Sequence, residues 1–151
     1  MIEYKTNYST DIEILEHLKI CNTQFVPKLS KRVNLNDYSK KLYKNSIRFE
    51  AWNLNNLVGL ISVYFTDEIN KIGFISNVSV VGVFMAKGIA TRLLNEVKKY
   101  ALINNFKFLK LEVNKNNTIA ISFYKKSNFK IGYENLDYFE MIYKIEKKYA
   151  K

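Results

Sequence analysis

Between Val83 and Leu94 the sequence reads VFMAKGIATRLL, with Gly88 and Ala90 two residues apart at the mouth of a helical pattern. A helix start leaves backbone N–H groups without partners, and the helix dipole adds partial positive charge there. A phosphate fits such a site if no side chain blocks the backbone, and Gly88 and Ala90 are small enough to leave it open. Lys87, Thr91 and Arg92 are placed to add charge and a hydroxyl. The same Gly-x-Ala pair also suits an ordinary strand-to-helix turn, and both readings stand on these residues alone. The Walker pattern G-x-x-x-x-G-K-[ST] is missing, and G-x-G-x-x-G would need two more glycines. Two other reactive side chains read as bland. Cys21 has no second cysteine to pair with and reads as a small helix residue. His17, far along the chain from the glycine loop, reads as a surface residue.

The 151 residues suffice for one domain, 1–151, with its own core. Apolar residues make up 48% and aromatics 15%, which argues against disorder. The N-terminus has no charged start followed by an apolar core, and the longest apolar run, Leu57 to Phe65, is too short to span a bilayer. A soluble, cytoplasmic protein without a membrane partner is expected. The net charge of +10 admits nucleic acid, a membrane surface or a polyanionic small ligand as partner. The lysines are scattered in ones and twos, however, as on a solvated surface. No RNA-recognition signature or zinc spacing accompanies them, so neither nucleic acid nor a metal is expected.

The elements that must position the glycine loop follow from periodicity. Ile2–Tyr8 reads as a strand. A helix follows, with Thr10 and Glu13 in capping-box spacing and Ile12, Ile14, Leu15 and Leu18 as its apolar side. The pattern fails around Pro27, and Asn36 reads as the cap of a short helix over DYSKKLYKN. SIRFEAW and LVGLISVYF form a hairpin, and Lys71–Val81 extends it to a meander. The helix after the glycine loop shows Ile89, Leu93, Leu94, Val97, Tyr100 and Ala101 at helical spacing and ends near Asn104-Asn105. In KFLKLEV, Leu109, Leu111 and Val113 share one face and Phe108, Lys110 and Glu112 the other. A helix starting near Asn117 or Thr118 and two strands complete the chain, and the closing KIEKKYAK reads as a strand end with a frayed tail. Seven strands and four helices in this order indicate an α/β (α+β) fold, a mixed sheet with helices on its faces.

NVSVV, then GVFMAKGIA, a helix, LKLEV and NNTIAISFYKKSNF occur in an order that strongly resembles the GCN5-related N-acetyltransferase (GNAT) superfamily. In that family a [Q/R]-x-x-G-x-[G/A] loop binds the pyrophosphate of acetyl-CoA. The matching hexad here is Met85-Ala86-Lys87-Gly88-Ile89-Ala90, followed by Thr91. The downstream pattern is matched by Asn117, Ala120, Phe123-Tyr124 and Asn128-Phe129. Met85 replaces the usual Gln or Arg, and Asn128 replaces a Gly. The resemblance implies a GNAT fold, acetyl-CoA as cosubstrate and direct attack by a primary amine. Val78, Ser79 and Val80 would pair with the pantetheine arm, with Asn117 and Tyr124 also at the cofactor.

The resemblance also assigns chemistry. Tyr124 matches the general-acid tyrosine at the leaving thiolate. A phenol of pKa near 10 facing a thiol near 8.5 makes full proton transfer uphill by roughly 2 kcal/mol, so hydrogen-bond donation is an equal reading. Glu112 matches the base proposed for bacterial ribosomal-protein N-terminal acetyltransferases, or is a strand carboxylate that is exposed or paired to lysine. Asn77 and Ser79 are alternatives that would hold a relay water. Phe25, Tyr38, Tyr133 and Tyr138 are candidate lining residues for the acceptor. The acceptor expected is a small-molecule amine, such as an amino sugar or nucleotide sugar. A protein N-terminus is the alternative. A non-catalytic acyl-CoA binder and a basic nucleic-acid-binding domain are the readings outside catalysis. A homodimer is compatible with all of them.

Overall fold

The computed structural model describes residues 1–146, and the tail read into residues 147–151 lies outside them. Seven strands form one sheet in the order β1-β2-β3-β4-β5-β7-β6. They are β1 (Ile2–Thr6), β2 (Ile47–Asn53), β3 (Asn56–Asp67), β4 (Ile72–Val80), β5 (Phe108–Asn114), β6 (Lys130–Glu134) and β7 (Tyr138–Lys144). Every neighbouring pair is antiparallel except β4 and β5, so the sheet is mixed, as its element order requires.

The helices are α1 (Asp11–Cys21), α2 (Leu29–Arg32), α3 (Leu35–Asn45), α4 (Ile89–Ile103) and α5 (Thr118–Lys126). The expected four thus become five, because the stretch after Pro27 winds into the single turn of α2. The second expected cap also moves. Asn34, not Asn36, accepts the Asp37 N–H at 3.0 Å and starts α3. An Asn two residues earlier supplies the same acceptor one turn ahead of the apolar positions.

The main core lies on one face of the sheet. There α4 sets Ile89, Leu93, Leu94, Val97 and Ala101 against Ile61, Val63, Ile75, Leu109, Leu111 and Val113. Gly59 on β3 permits this approach, since a Cβ there would lie 2.8 Å from Ile89 Cγ2. Leu60 points the opposite way and carries the smaller cluster of Ile14, Leu18, Leu29 and Leu42 from α1 to α3.

The start of α1 is clamped to β2 by a buried carboxylate. Glu50 accepts hydrogen bonds from the N–H groups of Tyr8 and Ser9, from the Ser9 hydroxyl and from Trp52 Nε1. Arg48 lies 3.4 Å from Glu50 and also donates to Ser9 and to the Tyr43 carbonyl. Every oxygen is thereby satisfied, which a buried charge requires. The Thr10–Glu13 capping box then forms as the spacing implies.

This orientation of α1 buries Ile14, His17, Leu18 and Cys21 and leaves Ile12 exposed. Two expectations are therefore corrected: Ile12 is not on the apolar side, and His17 is not on the surface. His17 is 1% exposed and hydrogen-bonds the Leu57 carbonyl at 3.0 Å and Ser79 Oγ at 2.8 Å. Burial outweighs these bonds and lowers its pKa from 6.5 to about 4. The native ring is thus neutral, while the unfolded chain binds its proton below 6.5. Stability from this group is complete above pH 6.5 and is lost as pH falls towards about 4, by roughly 3 kcal/mol in all. Denaturant titrations at pH 7 and pH 4.5 should show this loss in the parent and a clearly smaller one in His17→Gln. Equal losses in both proteins would contradict a buried neutral His17.

Candidate active site

The parallel pairing of β4 and β5 covers only Ile72 with Phe108, Gly73 with Leu109 and Phe74 with Lys110. Both strands continue beyond it, to Val80 and Asn114, so they part and open a notch in the middle of the sheet. A bulge lies just past the parting: Val63 pairs with Ile75 but Ser62 pairs with Asn77, leaving Ser76 as the extra residue. Further on, Val81 N–H donates to the Val58 carbonyl at 2.8 Å. The alternation of an antiparallel ladder then turns the backbone of Ser79 towards β3 and that of Val78 and Val80 into the notch. An extended chain laid in the notch would find its partners at Val78 and Val80.

The glycine loop lies at the far end of this notch, between β4 and α4. Ala86 and Gly88 both take left-handed backbone conformations, with φ of 60° and 80°. Gly88 is the N-cap of α4 and no side chain caps the helix. The first amide of the helix to find a carbonyl is that of Arg92, which donates to Gly88 at 3.0 Å. The amides of Ile89, Ala90 and Thr91 precede it and have no carbonyl four residues back to reach within the helix. A Cβ at Gly88 would meet no atom within 4 Å, so its glycine serves φ and access and fills no packing role. Met85 is 48% exposed beside the loop and offers no donor. Lys87 and Thr91 are exposed there. Arg92 turns aside instead, with its guanidinium 4.2 Å from the Tyr4 ring centroid and Nε 3.5 Å from Glu96.

Tyr124 sits on α5, whose N-cap is Asn117, with its side-chain oxygen accepting the Ala120 N–H at 3.2 Å. The other end of α5 is closed by Asn128 in the left-handed region at φ 71°, the conformation that a glycine commonly serves. Lys98 of α4 donates to the Ser127 carbonyl at 2.7 Å and ties the two helices together. The Tyr124 ring packs at an angle on Phe123 and Phe129. Burial alone raises its pKa, with no charge or hydrogen bond to offset it. The hydroxyl therefore stays protonated through the physiological range and is a donor in want of an acceptor.

Glu112 lies between Leu111 and Val113, whose side chains are in the main core, so it points to the opposite face and is exposed. It pairs in register with Glu140, which Lys110 approaches at 3.8 Å. Lys110 thus serves Glu140, and Glu112 forms no ion pair among the described residues.

On that same face the bulge gathers polar groups. Tyr38 OH lies 2.6 Å from Ser76 Oγ and donates to the Ser76 carbonyl at 3.1 Å; burial, partly offset by these bonds, pushes its pKa up to about 12. Tyr64 OH, Ser62 Oγ and one end of the Asn77 amide are buried without a partner among the described residues. Arg32 lies 5.4 Å from the Tyr138 ring centroid, and Lys41 the same distance from that of Tyr64. Of the four aromatic residues expected to line an acceptor site, Tyr38 and Tyr138 reach this region. Phe25 packs in the α1–α3 cluster, and Tyr133 is exposed on the edge strand β6. Cys21 Sγ is 3.8 Å from His17 Nε2, but burial pushes the thiol up to about 11, so it is a neutral thiol and not a nucleophile.

Sequence reasoning missed His17, Ser62, Tyr64 and Ser76. His17 had a signal, its spacing from Ile14, Leu18 and Cys21 on one helical face. The other three are placed by a bulge that no periodicity announces.

No helix among the described residues is long and apolar enough to cross a membrane. Several solved structures share the fold. They include the PaiA N-acetyltransferase of Thermoplasma acidophilum in complex with coenzyme A, which has a TM-score of 0.77 and 17% identity over 95% of this chain and 99% of that one. The ribosomal-protein-S18-alanine N-acetyltransferase of Escherichia coli has a TM-score of 0.77 and 13% identity over 98% and 96%. NAA60 of Arabidopsis thaliana, with a bisubstrate analogue, has 0.74 and 18% over 95% and 98%. No curated protein matches the sequence significantly. The profile of the Acetyltransferase (GNAT) family matches residues 12–129, most of the chain and all of the notch. The chain belongs to the GNAT family of acetyltransferases, enzymes that take their acetyl group from acetyl-CoA.

Proposed function

We propose that the protein transfers acetyl from acetyl-CoA directly to the primary amine of a small, neutral or anionic molecule such as an amino sugar or nucleotide sugar. The observation that carries this reading is the notch, with free amides at its α4 end and buried polar groups on its α1–α3 face. The pyrophosphate rests on the N–H groups around Gly88, Ile89, Ala90 and Thr91, where Lys87 adds charge and Met85 and Ala86 shape the loop. The pantetheine arm pairs with Val78 and Val80 as an added strand, and Ser79 supports that strand from behind. Asn117 contributes by starting the helix that carries Tyr124.

The amine arrives neutral from the α1–α3 face and its nitrogen attacks the thioester carbonyl. The C–S bond breaks, and the proton that the nitrogen sheds as the amide forms passes through solvent to the departing thiolate, which leaves as the thiol. Tyr124 donates a hydrogen bond to that sulfur. Its raised pKa makes full proton transfer less favourable than for a free phenol, so stabilisation by donation is the role its burial supports. Arg32 and Lys41 each stand over a tyrosine at the acceptor side, which favours an acceptor bearing negative charge. They also disfavour polycations.

Glu112 supports a second reading, acetylation of a protein N-terminus. It is a carboxylate on the acceptor face with no ion pair among the described residues, and an α-amine with pKa near 8 needs little help to deprotonate. One protein of the same fold is by name a ribosomal-protein-S18-alanine N-acetyltransferase.

Thiol release from acetyl-CoA against a panel of amino sugars, nucleotide sugars, polyamines and peptide N-termini tests both. Turnover of a sugar amine without peptide turnover is expected, and the reverse result would replace the first reading by the second. Acetyl-CoA binding without turnover of any amine would point to a non-catalytic binder. Tyr124→Phe should lower kcat roughly 100-fold with acetyl-CoA affinity little changed. Its melting temperature should change little, because the Tyr124 hydroxyl makes no hydrogen bond among the described residues that its removal would break. A mutant as fast as the parent at every pH would remove Tyr124 from the reaction. Met85→Gln, which restores a donor beside the loop, should tighten coenzyme A binding about three- to tenfold by calorimetry. Unchanged affinity would show that this loop holds the pyrophosphate through its backbone alone.

A further inference from the structure

The buried run from α1 to the bulge contains one imidazole, one hydroxyl and one amide in line. His17 Nδ1 is 3.0 Å from the Leu57 carbonyl, His17 Nε2 is 2.8 Å from Ser79 Oγ, and Ser79 Oγ is 2.8 Å from the side-chain oxygen of Asn77. Asn77 is 2% exposed, and its amide nitrogen has no partner among the described residues. Counting protons fixes more than the distances do. The Leu57 carbonyl can only accept, so a neutral His17 must carry its hydrogen on Nδ1 and leave Nε2 as an acceptor. Ser79 has a single hydrogen, which Nε2 then claims. Ser79 cannot also donate to Asn77, so Asn77 must donate to Ser79. Oxygen and nitrogen of an amide differ only in hydrogens, and the network alone decides between them. With the amide reversed, the nitrogen is satisfied and the oxygen takes the free position.

We propose that His17 is a positioning residue for acetyl transfer: it sets the direction of the chain Asn77→Ser79→His17→Leu57 and so presents the amide oxygen of Asn77 as a hydrogen-bond acceptor for the incoming amine, directly or through one water. The proposal rests on the reading that the acceptor approaches from the α1–α3 face. An oxygen at this position accepts an N–H and leaves the nitrogen lone pair free to attack, whereas an amide nitrogen there would compete for that lone pair. His17 does not itself take the amine's proton. An amine of pKa near 8 or above cannot pass a proton favourably to a ring whose own pKa is about 4.

Two measurements decide it. Long-range 15N–1H correlation spectra of the full-length protein at pH 7 should show His17 neutral and protonated on Nδ1. Nuclear Overhauser contacts should run from the Asn77 amide protons to Ser79 Hβ and not to Ser62 Hβ. A ring protonated on Nε2, a charged ring, or amide contacts to Ser62 would each overturn the proposal without reference to any acceptor. In kinetics with the amine or peptide found to turn over, Asn77→Ala and Ser79→Ala should each lower kcat/KM for the acceptor about tenfold while acetyl-CoA affinity holds. The loss in His17→Gln should be non-additive with that in Ser79→Ala, because both act through one chain. Full additivity, or an acceptor kcat/KM untouched by Asn77→Ala, would overturn the positioning role. The spectra separate the two readings. If the tautomer is as expected and only peptides turn over, the acceptor class falls and the chain stands.

Discussion

Everything in the site depends on two parallel strands that pair for three residues and then separate. A fully paired β4 and β5 would satisfy their own backbone and leave no polar edge inside the sheet. Because they part, Val78 and Val80 keep amide and carbonyl groups that face the notch. The price of an open ladder is met locally. β4 stays bonded to β3 along its other side, and the main core under α4 holds both strands from one face. The bulge at Ser76 falls at the parting and turns Ser76 and Asn77 to the same side of β4, which concentrates polar groups beside the opening.

The two faces of the notch are built by different physics. The α4 face depends on close approach: Gly59 lets the helix settle, and the left-handed Ala86 and Gly88 turn the chain so that the helix starts with free amides. The α1 face depends on charge held in the interior. Glu50 gathers donors from Tyr8, Ser9, Arg48 and Trp52, and this fixes where α1 begins. Two turns along, His17 is delivered beside Ser79. A clamp far from the chemistry thus determines which side chain meets β4.

The sheet, its strand boundaries and the α4 loop were legible because they rest on period and on small residues. Leu109, Leu111 and Val113 alternate, and the face they predict is the buried one. Asn128 was readable too, since few other residues adopt the left-handed backbone with ease. The α1 face was less legible. Ile12 and His17 exchanged places relative to expectation because hydrophobicity alone sets the phase of a short helix weakly, and the Glu50 clamp sets it instead. The Asn34 cap lay two residues from its expected position because the two asparagines in NLND offer the same chemistry. Ser62 and Tyr64 carried no signal at all, since their convergence with Asn77 is a product of strand register across the bulge.

In the proposed site the loop before α4 grips with main-chain amides, and main-chain amides are the one feature that every residue type except proline supplies. Selection can therefore rewrite the side chains around it, tuning affinity without removing the grip, provided that two positions still tolerate positive φ. A fold shared with proteins only 13 to 18% identical follows naturally from such a site. So does a methionine where a glutamine or arginine is usual. In lineages of this kind the donor half of the reaction is inherited as shape, and the acceptor half, made of side chains, is where divergence is written.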